Sequence, residues 1–484
     1  MGEALVRDGC YDCLLEARDL YLSNAEWAAA GIIASRLFEV ELLIALREKE
    51  LALDAEAALA RAGALIPELA DPAAATRLLE IATTAPPDAT GTPRRAQGPP
   101  LGRLRDDAVA HRDWLRVLSP VVAGPELRDY LVLALECPFR LDAVTSDEAG
   151  DAPSPLLAYR RATCGRVDGP VLEEVRARVP RFVETSLFLG RIAMASLRGT
   201  GGAPARRYLQ EVHERFTGSP TVTMVNGNLY RALGDCTRAV EFYTDTLRLV
   251  EAHEDARLDR AICRTYLGQP DAAIADATRL IDEATYNRGD AYYWRAWNHR
   301  ASGDLVRARA DIDRGRALLV NGQVLTLAGM IEHDQDDLDP AEADLADAIR
   351  LDAGNCIAHA YLGLVGVKRE AWRTSADAFA MATDCYGAAA RFSEGERAAL
   401  VALVEDPEIE VDPLFVEQQL AGFDAAIAED RSMESRAAVN AASTYLRAGD
   451  DDRARLFTER AAADPAYADR VAELRQLLAD PATP

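Results

Sequence analysis

Small residues recur along this chain at a nearly fixed interval, and the hydrophobic pattern around them predicts its architecture. Ala239, Ala273, Ala308, Ala341 and Ser375 follow one another at spacings of 34, 35, 33 and 34 residues. Five residues before each stands a second landmark: Gly234, Gly268, Gly303, Asp336 and Glu370. A period of this length predicts paired helices joined by a turn, each pair burying its apolar face only against its neighbours. Strand signals, alternating β-branched residues bounded by tight turns, are essentially missing. Helical periodicity continues outside the array, less regularly, through Leu14, Leu15, Leu20, Trp27, Ile32, Leu37, Val40, Leu43 and Ile44. The expected fold is an all-α, right-handed superhelical solenoid.

Breaks in the pattern divide the chain. Residues 1–85 read as degenerate helical repeats, and 86–100, which holds five prolines, as a linker. Residues 101–141 are helical, 142–155 a second polar linker, and 156–218 degenerate repeats containing the glycine cluster 199–202. The regular array covers 219–386. A helical insertion, 387–432, separates it from a detached unit, 433–466, and a helical tail, 467–484.

The residues between the landmarks resemble the tetratricopeptide repeat. The stretch from Thr221 carries Gly227, Tyr230, Gly234-Asp235, Ala239 and Tyr243 at the positions that family reserves for them. The second unit gives Ala261, Gly268, Ala273 and Ala277, with Arg264 where the family has Tyr. The third gives Tyr292, Ala296, Gly303-Asp304, Ala308 and Ile312, with His299 in that place. The fourth gives Gly329, Ala341, Leu345 and Ala348, and the fifth Gly363, Ser375, Phe379 and Ala382. The detached unit gives Ala442, Tyr445, Gly449-Asp450, Ala454, Ala461 and Pro465. Small residues suit the close approach of paired helices, and Gly at the turn suits the left-handed backbone that ends a helix.

Composition narrows the function. Net charge is −25, from 54 basic and 79 acidic residues, with only short basic pairs such as Arg94-Arg95. A polyanion would be repelled, so no nucleic-acid partner is expected. No stretch is long enough to span a membrane, and no membrane partner is expected. The first dozen residues lack an apolar run and carry Glu3, Arg7 and Asp8, so a cytoplasmic setting is expected for a chain beginning at Met1. Eight cysteines are scattered. Cys10 and Cys13 form a CxxC without a second pair or a nearby His, and read as buried small residues on a helix. Cys236, Cys263, Cys356 and Cys385 fall inside repeats and read as packing.

Chemical motifs are scarce. The glycine cluster 199–202 lacks the Lys-Ser/Thr of a phosphate loop. The run Asp334, Asp336, Asp337, Asp339 coincides with a repeat turn and lacks the Gly and Glu of a calcium loop. The six histidines show no ligand spacing, and His299 and His359 occupy core-type positions. We therefore expect no catalytic residue, no metal and no cofactor.

The family resemblance implies a concave groove lined by the first helix of each unit. Carried onto this chain, the lining is Met224, Asn228 and Arg231, then Asp255, Asp259, Ile262 and Tyr266. Asp290, Tyr293, Trp294, Trp297 and Arg300 continue it, and Tyr361, Leu364 and Lys368 follow. Tyr293 and Trp297 share a helical face while Trp294 lies about 100° away, so at least one aromatic is expected in the groove. The alternative is that these rings pack a neighbouring repeat. The family's clamp for an acidic C-terminal carboxylate is disfavoured: Asn228 fits, but Met224, Asp259, Asp290 and Trp294 occupy its other places. An acidic, aromatic groove suits an extended peptide or protein with basic and apolar side chains. The expected function is thus a non-catalytic interaction scaffold or adaptor. The alternatives are a regulatory subunit autoinhibited by its own insertion, Ala388 to Glu429, or an enzyme with an unrecognised N-terminal site.

Overall fold

A computed structural model describes residues 1–24, 30–84, 101–118, 123–136, 153–163, 167–194, 202–405 and 413–479. The Pro-rich linker at 86–100, most of the break at 142–155, Gly199 to Gly201, Trp27, Cys137 and Cys164 lie outside the described residues.

The described residues form an all-α helical repeat solenoid with no strand among them. The N-terminal helices are α1 (Gly2–Asp8), α2 (Tyr11–Ser23), α3 (Ala30–Glu50), α4 (Glu56–Leu65), α5 (Pro72–Thr84), α6 (Leu101–Arg116) and α7 (Pro125–Glu136). Then come α8 (Pro155–Ala162), α9 (Gly169–Arg178), α10 (Thr185–Met194) and α11 (Gly202–Arg215). The regular array follows as α12 (Pro220–Ala232), α13 (Cys236–Leu249), α14 (Glu254–Tyr266), α15 (Pro270–Glu283), α16 (Arg288–Ala301) and α17 (Leu305–Leu318). It continues as α18 (Gly322–Asp334), α19 (Leu338–Leu351), α20 (Cys356–Lys368) and α21 (Trp372–Val404), and the chain ends in α22 (Pro413–Arg447), α23 (Asp451–Ala461) and α24 (Ala468–Ala479). The chain divides into two compact units: residues 1–229 with 241–251, and residues 230–240 with 252–484.

The periodic landmarks mark real contacts. Ala239, Ala308, Ala341 and Ser375 are fully buried and Ala273 nearly so. Each turn landmark adopts the left-handed backbone: φ is 78° at Gly234, 66° at Gly268 and 80° at Gly303, and also 64° at Asp336 and 58° at Glu370. Glycine reaches that region freely, whereas side chains are strained there. Small residues on each first helix admit a large one from the second. A Cβ built on Gly227, Gly329 or Gly363 would lie 2.5, 2.6 or 2.7 Å from Tyr243, Leu345 or Phe379.

In the first unit a buried ionic network holds α3 to α7, α8 and the segment before α10. Arg47, with no exposed surface, donates to Glu184 at 2.8 Å, pairs with Glu50, and stacks over the Tyr159 ring at 4.2 Å. Glu50 also accepts from Arg160 at 2.9 Å and from the Tyr130 hydroxyl. Burial pushes the Tyr130 phenol well above its ordinary range.

The cysteines require a correction. Cys10 and Cys13 are indeed buried at the start of α2, but they form a disulfide. Cys356 and Cys385 form another between α20 and α21, with Cα atoms 5.4 Å apart. Sequence spacing could not anticipate the second, because its partners are 29 residues apart and meet only when the two helices pair.

The segment expected as an insertion lengthens two repeat helices. Its described residues continue α21 and open α22, which pack as a long antiparallel hairpin. Arg397 donates to Asp424 at 2.6 Å and Arg431 to Glu394 at 2.9 Å across it.

Candidate binding groove

The aromatic residues of α14 and α16 gather into one cluster. Tyr293 and Trp297, one helical turn apart, pack half-buried on the core formed by Ala296, Ala308, Ile312, Val324 and Leu327. Trp294 turns from that core. Its ring meets Tyr266 edge-on at 6.0 Å and Tyr293 at 5.2 Å. Tyr266 is 71% exposed. The cluster thus grades from packed rings to an open one.

The acidic residues divide by their partners. Asp255 accepts from Asn287 at 2.8 Å and from the Tyr286 hydroxyl at 3.2 Å, which ties it to the entry of α16. Glu254 beside it accepts the backbone N–H groups of Thr285, Tyr286 and Asn287, and these bonds hold its carboxyl below the usual range despite partial burial. Asp259 sits 3.5 Å from Arg231, yet burial raises its carboxyl to about 6. Asp290 is half-buried, which raises its carboxyl too, and among the described residues no basic side chain pairs with it.

The basic residues expected in the groove are engaged. Arg300 donates to Asp334 at 2.8 Å and to the Tyr361 hydroxyl at 2.6 Å. Tyr361 also meets His333 edge-on. Lys368 donates to the His333 carbonyl at 2.7 Å and pairs with Asp336. Asn228, in the other compact unit, accepts from the Tyr243 hydroxyl at 2.9 Å and so supports packing. His299 and His359 are buried, as their core-type positions led us to expect.

A feature that sequence reading missed lies opposite Arg264 and His299. Three residues after the small landmark, the second, third and fourth units carry Asp276, Asp311 and Asp344. Buried Asp276 accepts two bonds from Arg260, at 2.9 and 2.7 Å, and a third from Arg264 at 2.7 Å. Asp311 accepts two from Arg295, at 2.8 and 2.7 Å, with His299 3.8 Å away. An Arg–Asp clasp thus joins the paired helices of the second and third units; its sequence signal is Asp recurring at one register in consecutive units.

In the fourth unit the equivalent of Arg264 is Glu332. It is fully buried, and no hydrogen bond from a described residue reaches its oxygens, although Arg309 lies 3.2 Å away. Burial first, then Asp344 and Asp337, raise its carboxyl to about 7, against the pull of Arg309 and Arg316. A raised folded-state value means that the folded chain holds the proton better than the unfolded one. The associated stability is therefore fully present below about 4.5 and is lost as pH rises through about 7. We expect Glu332→Gln to match wild type near pH 4 and to exceed it by roughly 2–3 kcal/mol near pH 8 in urea unfolding. Parallel pH profiles for the two proteins would refute this.

No protein-family model and no curated protein matches the sequence. Among solved structures the chain is similar to YrrB, a TPR protein with an unusual peptide-binding site, at 18% identity over 37% of this chain and 91% of that one, with a TM-score of 0.31. It is similar to MamA of Desulfovibrio magneticus at 15% identity over 34% and 94%, with a TM-score of 0.32. The APC/C hetero-tetramer Cut9-Hcn1 matches at 12% identity over 97% and 96%, with a TM-score of 0.42. The tetratricopeptide-like character of the array rests on its own repeat, with buried small residues, left-handed turns and small-to-large helix contacts in register.

Proposed function

We propose that this tetratricopeptide-like solenoid is a non-catalytic scaffold that holds an extended peptide segment of a partner protein against α14 and α16. The observation that carries the reading is the aromatic cluster Tyr266, Tyr293, Trp294 and Trp297 on the helices that also bear the unpaired carboxylate of Asp290. Exposed aromatic faces attract cations and bury large apolar area at low entropic cost. A half-buried carboxylate without a basic neighbour gains from a Lys or Arg side chain delivered to it. The ligand is therefore basic and apolar. Arg300 and Lys368 already have acidic partners, which supports the exclusion of an acidic tail.

The autoinhibited reading has less support, since Arg397 pairs with Asp424 and Arg431 with Glu394, which binds the hairpin to itself.

Selection from a displayed peptide library should enrich Lys or Arg next to apolar residues, and the selected peptide should perturb tryptophan fluorescence. Trp294→Ala and Asp290→Asn should each weaken it about tenfold or more, the scale of a buried anchor residue. Binding should also strengthen as pH rises through about 6, where Asp259, flanked by Arg231 and Asp255, loses its proton. Enrichment of acidic peptides, or unchanged affinity in a folded Trp294→Ala protein, would overturn the proposal.

A further inference from the structure

Six cysteines lie among the described residues, and each stands beside another. Two pairs are the disulfides Cys10–Cys13 and Cys356–Cys385. The third is a pair of buried thiols, with Cys236 on the first turn of α13 and Cys263 inside α14. Their sulfurs are 2.6 Å apart. Burial and the neighbouring sulfur raise the Cys263 thiol far above its ordinary range, so that thiol is a poor nucleophile in the fold.

Chance scatter of cysteines over so long a chain does not bring every described one against a partner. A reducing compartment gives no reason for such pairing, whereas an oxidising one does. We infer that Cys236 and Cys263 form a third disulfide, and that the chain matures in a thiol-oxidising setting rather than the cytoplasmic one expected from its N-terminus. The bond would join the second helix of the first repeat to the first helix of the second.

The chemistry is thiol–disulfide exchange with a small-molecule or protein disulfide as the oxidant. One thiolate attacks a sulfur of the oxidant and expels its thiolate, giving a mixed disulfide. The second cysteine then displaces the remaining half. Two electrons pass to the oxidant, which leaves as two thiols, and the two protons come from the cysteines. Because both sulfurs are buried in the fold, exchange precedes the closing of α13 on α14, and the finished bond is shielded. Its position matters for the groove as well, since Cys263 feels the charges of Arg231 and Asp259 and lies three residues before Tyr266.

The test is a disulfide map. The chain is refolded in an oxidised and reduced glutathione buffer, alkylated with N-ethylmaleimide in denaturant, and digested with trypsin without reduction. The expected product is the fragment 232–238 linked to 261–264, beside the link between 351–368 and 374–391 that reports Cys356–Cys385. Recovery of 232–238 and 261–264 as separate, alkylated peptides overturns the bond. Protein taken from its native source and alkylated at lysis should show the same link, and separate peptides there overturn the oxidising setting. A second measurement is independent of mapping. A reductant should lower the thermal midpoint of wild type more than that of the Cys236→Ser/Cys263→Ser protein, and equal shifts count against the bond.

Discussion

Arg47→Ala should cost the first compact unit about 3–5 kcal/mol, the usual penalty for removing one partner from a buried ionic network. The substitution leaves Glu50 and Glu184 buried; among the described residues Glu184 retains the hydrogen bond from the Tyr11 N–H at 2.7 Å, and Glu50 retains Arg160 and Tyr130. It also removes the guanidinium that stacks on Tyr159. Urea unfolding followed by far-ultraviolet circular dichroism should show an early transition, with hydrogen exchange accelerated in α3, α8 and the segment around Glu184. Arg248→Ala provides the contrast. Its pair with Asp245 is exposed, with side chains 73% and 46% accessible, and should matter by under about 1 kcal/mol. Equal effects of the two substitutions would mean that the buried network contributes nothing beyond an ordinary surface pair.

Asp276→Ala is the second large effect, again about 3–5 kcal/mol, because it strands Arg260 and Arg264 around a vacated site. In a repeat protein stability is a sum of units and interfaces. The loss should therefore appear as local opening of α14 and α15 before the rest unfolds. Hydrogen exchange resolved by peptide is the measurement, and uniform protection across 254–283 at wild-type levels would sink it. Asp276→Asn, which keeps the shape and some of the bonds, should fall between the two.

The repeat itself was legible in the sequence because its signals are local. A small residue every 34 or so positions and a turn residue five before it report backbone approach and handedness directly, and both reappear at Ala308 and Gly303. Even Asp336 and Glu370, which lack glycine's freedom, take the left-handed turn, because the helices on either side impose it. The aromatics of α16 were legible only in part. Helical geometry separates Trp294 from Tyr293 and Trp297, but contact of Trp294 with Tyr266 depends on how one repeat stacks on the next. Long-range pairings were not legible. Arg47 and Glu184 are separated by 137 residues and Cys356 and Cys385 by 29, and no periodicity announces either meeting. Glu332 escaped because an acidic residue in a polar run reads as solvated until its helix is seen to be walled in.

The clasps also bear on how such an array could grow by duplication. Asp276 and Asp311 draw their arginines from the helix just before them in the same unit, so a copied block would arrive with its own neutralising charge. The fourth unit is different. Asp344 and Glu332 rely on Arg316 and Arg309, which belong to the third. Spliced elsewhere alone, it would carry two acidic side chains into a new core without the arginines beside them. Recombination that separates the third unit from the fourth should therefore destabilise the chain more than a cut between the second and third.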